Sequence, residues 1–238
     1  MYLRNIIYHL FFIFGFACYA YSAAAGVSQY KYNVYISGLK VGEFEYAVNE
    51  KGSGYSLRAL MRSTGIVGAF TKYSYEGLSI GRKKERRFFP QIYSENSDTG
   101  KRKSKKEMVY KNGIPSLTQS EERKKYWLQP KTQKNTIDPL TAIYALLSDQ
   151  PFSKPCKQNM TVYDGARQFS IELISAQIED DKMSCKGIFT RLGGYSEKEM
   201  SKGTEFPFEL QFSKQDNIFR IDRFVMSTLL GRASFIRQ

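Results

Sequence analysis

An alternation of side-chain character at every second residue constrains this chain more than any other feature. In "QYKYNVYIS", Tyr30, Tyr32, Val34 and Ile36 fall in step against Gln29, Lys31, Asn33 and the less polar Tyr35. Successive side chains of a strand point to opposite faces, so such a run reads as a strand with one face buried. The period resumes after the turn-like "SGLKVG", where Phe44, Tyr46 and Val48 share a face against Glu43, Glu45 and Ala47. After "NEKGSG", Tyr55, Leu57, Ala59 and Met61 alternate with Ser56 and Arg58. The runs are bounded by glycine and rich in aromatic residues, which suit a half-buried pleated surface. The first eighty or so residues therefore predict an antiparallel meander.

One segment breaks the pattern. In "TIDPLTAIYALLSDQP", Asp138 can cap a helix, Pro139 suits its first position, and Leu140, Ile143, Tyr144 and Leu147 fall on one stripe. The helix is expected to stop before Pro151, and a single apolar stripe has to pack against something, most simply the concave face of a curved sheet. Period two then returns. "TVYDGARQFSIEL" reads as strand, Asp164-Gly165 turn, strand, and "EFPFELQFSKQDNIFRIDRFVM" as a hairpin around Gln215-Asp216-Asn217. The expectation is a mainly β chain of roughly nine to eleven strands with one substantial helix.

The first 25 residues carry one early cation, Arg4, an apolar run to about Ala17, and then small residues that fit a cleavage rule. They read as a secretory signal peptide, leaving 26–238 as one β-rich domain. The alternative is an uncleaved anchor, although the apolar run is shorter than the roughly 20 residues that span a bilayer. "GFAC" before Cys18 departs from a lipidation box. Cleavage would remove His9, the only histidine, together with Cys18, and would take the formal charge from +13 to +12. The pair left, Cys156 and Cys185, reads as a disulfide in an exported protein.

That loss removes most catalytic chemistry. Without histidine there is no Ser-His-Asp or Cys-His arrangement and no histidine-ligated zinc. No phosphate-binding loop of the G-x-x-x-x-G-K-[ST] kind occurs, so no cofactor or metal is expected. "IEDDK" (Ile178 to Lys182, with Glu179, Asp180 and Asp181) lacks the ligand spacing of a calcium loop and reads as a solvated turn. Asp164 has no candidate base, metal or nucleophile near it in sequence, and Gly165 supplies the positive φ of a tight turn. It reads as a turn residue. A glycosidase-like pair of carboxylates stays open, because its acids need only meet in space.

Two basic runs remain: Arg82, Lys83, Lys84, Arg86 and Arg87, then Lys101, Arg102, Lys103, Lys105 and Lys106. Such runs can mark nucleic-acid binding, but an exported chain rarely meets nucleic acid. They read either as solvated strand ends that protect a sheet edge or as a contact with an anionic envelope surface, lipid or polymer.

The order of "YKYNVYISGLKVGEFEYAV", "FFPQIYSE", "IDPLTAIYALL", "VYDGARQFSIEL" and "SCKGIFTRLGGYSEK" resembles the bacterial domain-of-unknown-function family 3108, over nearly the whole chain after the leader. The resemblance implies a secreted, periplasmic protein of a Gram-negative bacterium and carries no catalytic residues. Related-looking periplasmic families form an open spiral or half-barrel sheet that wraps a helix, a shape shared with proteins that ferry lipoproteins between membranes. Together these readings predict a non-enzymatic envelope protein that binds an amphipathic ligand, or another envelope component such as a protein partner, and supports envelope integrity. An envelope glycan-acting enzyme is the alternative. Tyr32, Val34, Phe44, Tyr46, Leu57 and Met61 on the sheet, with Leu140, Ile143, Tyr144 and Leu147 on the helix, are the expected groove.

Overall fold

The computed structural model describes residues 26–70, 72–119, 122–152, 156–228 and 231–238. The expected leader, residues 1–25, lies outside them. The first strands are β1 (Val27–Ile36), β2 (Leu39–Lys51), β3 (Gly54–Ser63) and β4 (Ser74–Lys84), with a short helix α1 (Gly65–Phe70) between β3 and β4. β5 (Arg87–Asp98), β6 (Lys103–Lys111) and β7 (Ile114–Gln119) continue the meander. Helix α2 (Pro139–Leu147) follows, then β8 (Gln150–Pro151), β9 (Asn159–Tyr163), β10 (Gln168–Glu179) and β11 (Lys182–Gly193). A single turn of helix, α3 (Glu197–Met200), precedes β12 (Glu205–Gln215), β13 (Ile218–Thr228) and β14 (Gly231–Arg237).

All fourteen strands belong to one open antiparallel sheet, in the order β7-β6-β5-β4-β3-β2-β1-β14-β13-β12-β11-β10-β9, with β8 beside β13. The expectation of nine to eleven strands was too low. The two basic runs are the reason: they occupy the ends of β4, β5 and β6, where charge hides the alternation. Two-residue turns set the register of many hairpins. Ser37 (φ 49°) and Gly38 (φ 85°) join β1 to β2, a left-handed pair that matches strand twist. Asp180-Asp181 and Asp216-Asn217 also form two-residue connections, β10 to β11 and β12 to β13, with positive φ at Asp180 (52°) and Asp216 (51°).

The two edges of the sheet approach one another through a connecting segment rather than through strand pairing. Asn135 donates its amide to Gly113 at the β6–β7 turn, and Ile137 forms a parallel bridge with Val162 of β9. A methyl group added at Gly165, in the β9–β10 turn, would lie 3.2 Å from Leu117 of β7. That turn is a four-residue loop. The Asp164 carboxylate accepts the amides of Ala166 (2.8 Å) and Arg167 (2.7 Å), which is a turn residue's role.

Helix α2 begins and ends where the sequence places it, but it is buried nearly all round rather than along one stripe. Contacts come from β3, β4, β5 and β9. The inner face of β4 explains how a helix fits so closely: after Tyr75 it presents Gly77, Ser79 and Gly81, residues too small to hold the helix off. A Cβ at Gly81 would lie 2.5 Å from the Tyr55 hydroxyl and 2.6 Å from the Phe89 carbonyl. Ser79 can then reach the helix cap. Its hydroxyl donates to Asp138 at 2.9 Å, beside the Thr141 amide (2.9 Å) and the Thr141 hydroxyl (2.6 Å). At the other end, the Leu147 carbonyl accepts the Tyr46 hydroxyl at 2.8 Å. Cys156 and Cys185 are joined as a disulfide, with Cα atoms 5.6 Å apart, which ties the post-helix loop to β11.

Candidate functional site: an apolar cavity beside the buried helix

The helix shows the sheet two different sides. Thr141 and Tyr144 face β3 and β4 and are fully engaged: Thr141 with Tyr55 and Ser79, Tyr144 with Glu50. Pro139, Ile143, Leu146 and Leu147 share the opposite side of a helix of 3.6-residue period. They look into a cavity of about 230 Å³. Its floor is a row of aromatic rings that crosses the sheet. Phe44 meets Phe235 edge-on at 5.9 Å and Phe235 meets Phe224 at 5.8 Å; behind the floor the row continues into the core, where Phe224 meets the buried Phe208 at 5.5 Å.

The wall is apolar except at one end, where Tyr73, Tyr75 and Glu95 meet it. Strand alternation brings Glu95 inward two residues after the fully buried Tyr93. Tyr93 donates to the Glu95 carboxylate at 2.6 Å, and the Tyr75 and Tyr93 hydroxyls lie 3.4 Å apart. Lys106 of β6 pairs with the same carboxylate at 3.0 Å, both side chains being mostly buried. Burial, and then the nearby Glu95 charge, pushes the Tyr73 and Tyr75 phenols up, so both stay protonated. Gly77 makes room here: a Cβ on it would sit 2.6 Å from the Tyr75 hydroxyl.

Of the ten expected groove residues, Phe44, Met61, Ile143 and Leu147 line this cavity. Tyr32, Val34, Tyr46, Leu57, Leu140 and Tyr144 are buried in the core around it. Tyr73, Tyr75, Glu95, Phe224 and Phe235, together with Pro139 and Leu146 of the helix itself, were missed. The first three follow a legible signal, alternation continuing through "KYSYEG" and "YSEN". Phe224 and Phe235 come from the far end of the chain, and no local pattern points to them.

The basic residues do not form one patch. Lys105 and Lys106 are consecutive on a strand and so point to opposite faces. Lys105 pairs with Glu107 (3.5 Å) and Lys103 with Asp98 (3.4 Å) outside, while Lys106 is taken inward by Glu95. Lys83 bonds Glu50 at 2.5 Å and lies 5.9 Å from the centre of the Tyr144 ring. Arg86 donates to the Lys157 carbonyl at 2.9 Å. Arg82, Lys84 and Arg87 sit beside the β4–β5 turn, and Lys101 and Arg102 in the β5–β6 connection.

The "GGYSEK" stretch is explained by packing. The guanidinium groups of Arg167 (5.3 Å) and Arg191 (5.2 Å) both lie over the Tyr195 ring, a cation–aromatic arrangement. Arg167 also donates to Glu199 at 2.8 Å, and Glu199 completes a capping box with Ser196.

The family described as "Protein of unknown function (DUF3108)" matches residues 31–189, which run from β1 into β11 and include α2. This chain belongs to the DUF3108 family. In this DUF3108 protein the matched span supplies the helix side and the polar end of the cavity, whereas Phe224 and Phe235 lie beyond it. The crystal structure of a β-barrel-like protein of domain of unknown function DUF1849 from Brucella abortus is similar over 88% of this chain and 94% of that one, with 11% identity and a TM-score of 0.46. No curated protein matches the chain.

Proposed function

We propose that this DUF3108 protein is a non-enzymatic envelope protein, exported to the periplasm, that holds an amphipathic ligand by its apolar tail in the cavity beside α2 and so supports envelope integrity. The cavity's composition carries the reading: aliphatic and aromatic walls with polar groups at one end only. That division matches a ligand with a tail and a head, as in most binding pockets, where a few polar groups fix orientation. Its volume of about 230 Å³ is below the roughly 300–1,000 Å³ of sites that enclose a whole drug-sized molecule. One acyl chain or one apolar side chain fits such a space better than a complete lipid. The Cys156–Cys185 bond supports the periplasmic reading, since such bridges persist in oxidising compartments. The inward carboxylates Asp138 and Glu95 are each held by donors of the fold, which favours binding over acid–base work at these two positions.

The test uses a neutral environment-sensitive dye, N-phenyl-1-naphthylamine, titrated into the purified protein. Saturable fluorescence enhancement, reversed by a long-chain alcohol, is the expected result. Mass spectrometry of material purified from the native periplasm should show a co-purifying single-chain or acylated compound. Linear, non-saturating enhancement without competition would make the space a packing defect and move the search for function to the outer surface.

A further inference from the structure

The occupant's polar end can be specified, on the assumption that the cavity binds a tail at all. Of the ion pair between Glu95 and Lys106, Glu95 alone belongs to the cavity wall. An ionised carboxylate offers about four lone-pair positions on its two oxygens. Tyr93 and Lys106 fill two of these, which leaves Glu95 able to accept further hydrogen bonds. The Tyr75 hydroxyl has only a long contact, 3.4 Å, to Tyr93. A second carboxylate brought to this end would meet Glu95 as a like charge beside an apolar wall, where repulsion is screened less than in bulk water.

We propose that the cavity selects a single aliphatic chain ending in a hydrogen-bond donor, an amine or an alcohol, over the same chain ending in a free carboxylate. Glu95 is the selecting residue. The protein's overall charge acts the other way: a chain of formal charge +13 draws anions to its surface non-specifically. A preference for the amine thus reports the cavity and not the bulk field.

The experiment is displacement of N-phenyl-1-naphthylamine by dodecylamine, dodecanol and dodecanoate, each below its micelle threshold and at about 0.1 M salt to damp surface attraction. The amine and the alcohol are expected to displace the dye at concentrations at least about tenfold lower than dodecanoate. Glu95→Gln keeps the side chain's size and should bring the three within about threefold of one another. Because that change leaves Lys106 without its counter-charge, Glu95→Gln combined with Lys106→Gln serves as the second variant, with near-ultraviolet circular dichroism reporting the fold. Equal displacement by all three compounds in the native protein overturns the selection and leaves the cavity reading standing. Full discrimination retained in a folded Glu95→Gln variant overturns the role of Glu95. No dye binding to the native protein removes the cavity reading and this inference with it.

Discussion

Tyr46 on β2 donates its hydroxyl to the main-chain carbonyl of Leu147, 2.8 Å away and 101 residues later in the chain. The carbonyl belongs to the last turn of α2, where no intrahelical amide is available to it. Burial, and after it the neighbouring Tyr32 and Tyr30, pushes the Tyr46 phenol up, so the hydroxyl keeps its proton and stays a donor at neutral pH. The Tyr32 hydroxyl reaches the same oxygen only at 3.5 Å. Tyr46→Phe should thus cost about 1 to 3 kcal/mol, the usual effect of stranding a buried acceptor. Tyr32→Phe should cost less. Urea unfolding of both variants checks the order, and equal losses would mean that the two hydroxyls share the carbonyl.

The cap at the other end of the helix titrates. Asp138 is fully buried, and burial raises its carboxyl above the ordinary value of 3.8 despite hydrogen bonds from Thr141 and Ser79 that lower it. The folded state therefore holds this proton to a higher pH than the unfolded state does. The stability it contributes is complete below about pH 3.8 and is lost as pH rises through the raised value. Asp138→Asn can still accept the Thr141 amide, and the Ser79 and Thr141 hydroxyls can turn to accept from the new amide. The variant should stay within about 1 kcal/mol of the native protein at neutral pH, and it should lack that fall. The stability difference between the two, followed across pH, isolates the step from other carboxylates. A difference that is flat from acid to neutral pH would show that Asp138 does not titrate in this range.

Local patterns made much of this structure legible, and non-local ones hid the rest. The runs from Tyr30 to Met61 alternate cleanly because both faces of β1 to β3 keep one character. The start of α2 is legible because its cap is a local bond between Asp138 and Thr141. The inner face of β4 was harder, since Gly77, Ser79 and Gly81 are chosen to let a helix approach and not to fill a core. Two of the three floor rings, Phe224 and Phe235, were out of reach altogether. Phe235 meets Phe44 because β14 pairs with β1, a contact between the two ends of the chain.

The disulfide should carry real stability. It closes a loop of 29 residues, for which chain-entropy arithmetic gives about 3 to 4 kcal/mol. Replacing Cys156 and Cys185 together by alanine should lower the unfolding free energy by about that amount, with the sheet retained. Intact-mass analysis of native material should show two hydrogens fewer than the dithiol. Free thiols at both positions would refute the pairing in the cell.

The lysines of the second basic run should separate by the face they occupy. Lys103 and Lys105 make exposed ion pairs, which are worth less than about 1 kcal/mol, so replacing both with Gln should leave stability nearly unchanged. If the run meets an anionic surface, the same change should weaken binding to anionic vesicles, and native binding should fall steeply with salt. Lys106→Met strands the mostly buried Glu95 and should cost more, about 1 to 3 kcal/mol, below the 3 to 5 of a fully buried pair. Equal retention on neutral and anionic vesicles at low salt would return Lys103 and Lys105 to the role of solvated edge charges.

Overfilling distinguishes the cavity from the core on the same helix. Ile143 and Leu140 are both apolar residues of α2, separated by less than one turn. Leu140 is fully buried and lies in the closed core, where an added ring has nowhere to go. Ile143 is only partly buried and borders about 230 Å³ of free space. Leu140→Trp should therefore force neighbouring side chains out of their rotamers and cost about 1 to 3 kcal/mol or more. Ile143→Trp can direct its ring into the cavity against Phe224 and Phe235, with little loss of stability and some gain in buried apolar area. The same ring would occupy the space proposed for the ligand's tail. Ile143→Trp is expected to melt close to the native protein and to lose dye binding, while Leu140→Trp melts early and binds dye in whatever fraction stays folded. If Ile143→Trp is destabilised as much as Leu140→Trp, the space closes in solution, and α2 seals a core instead of guarding a site.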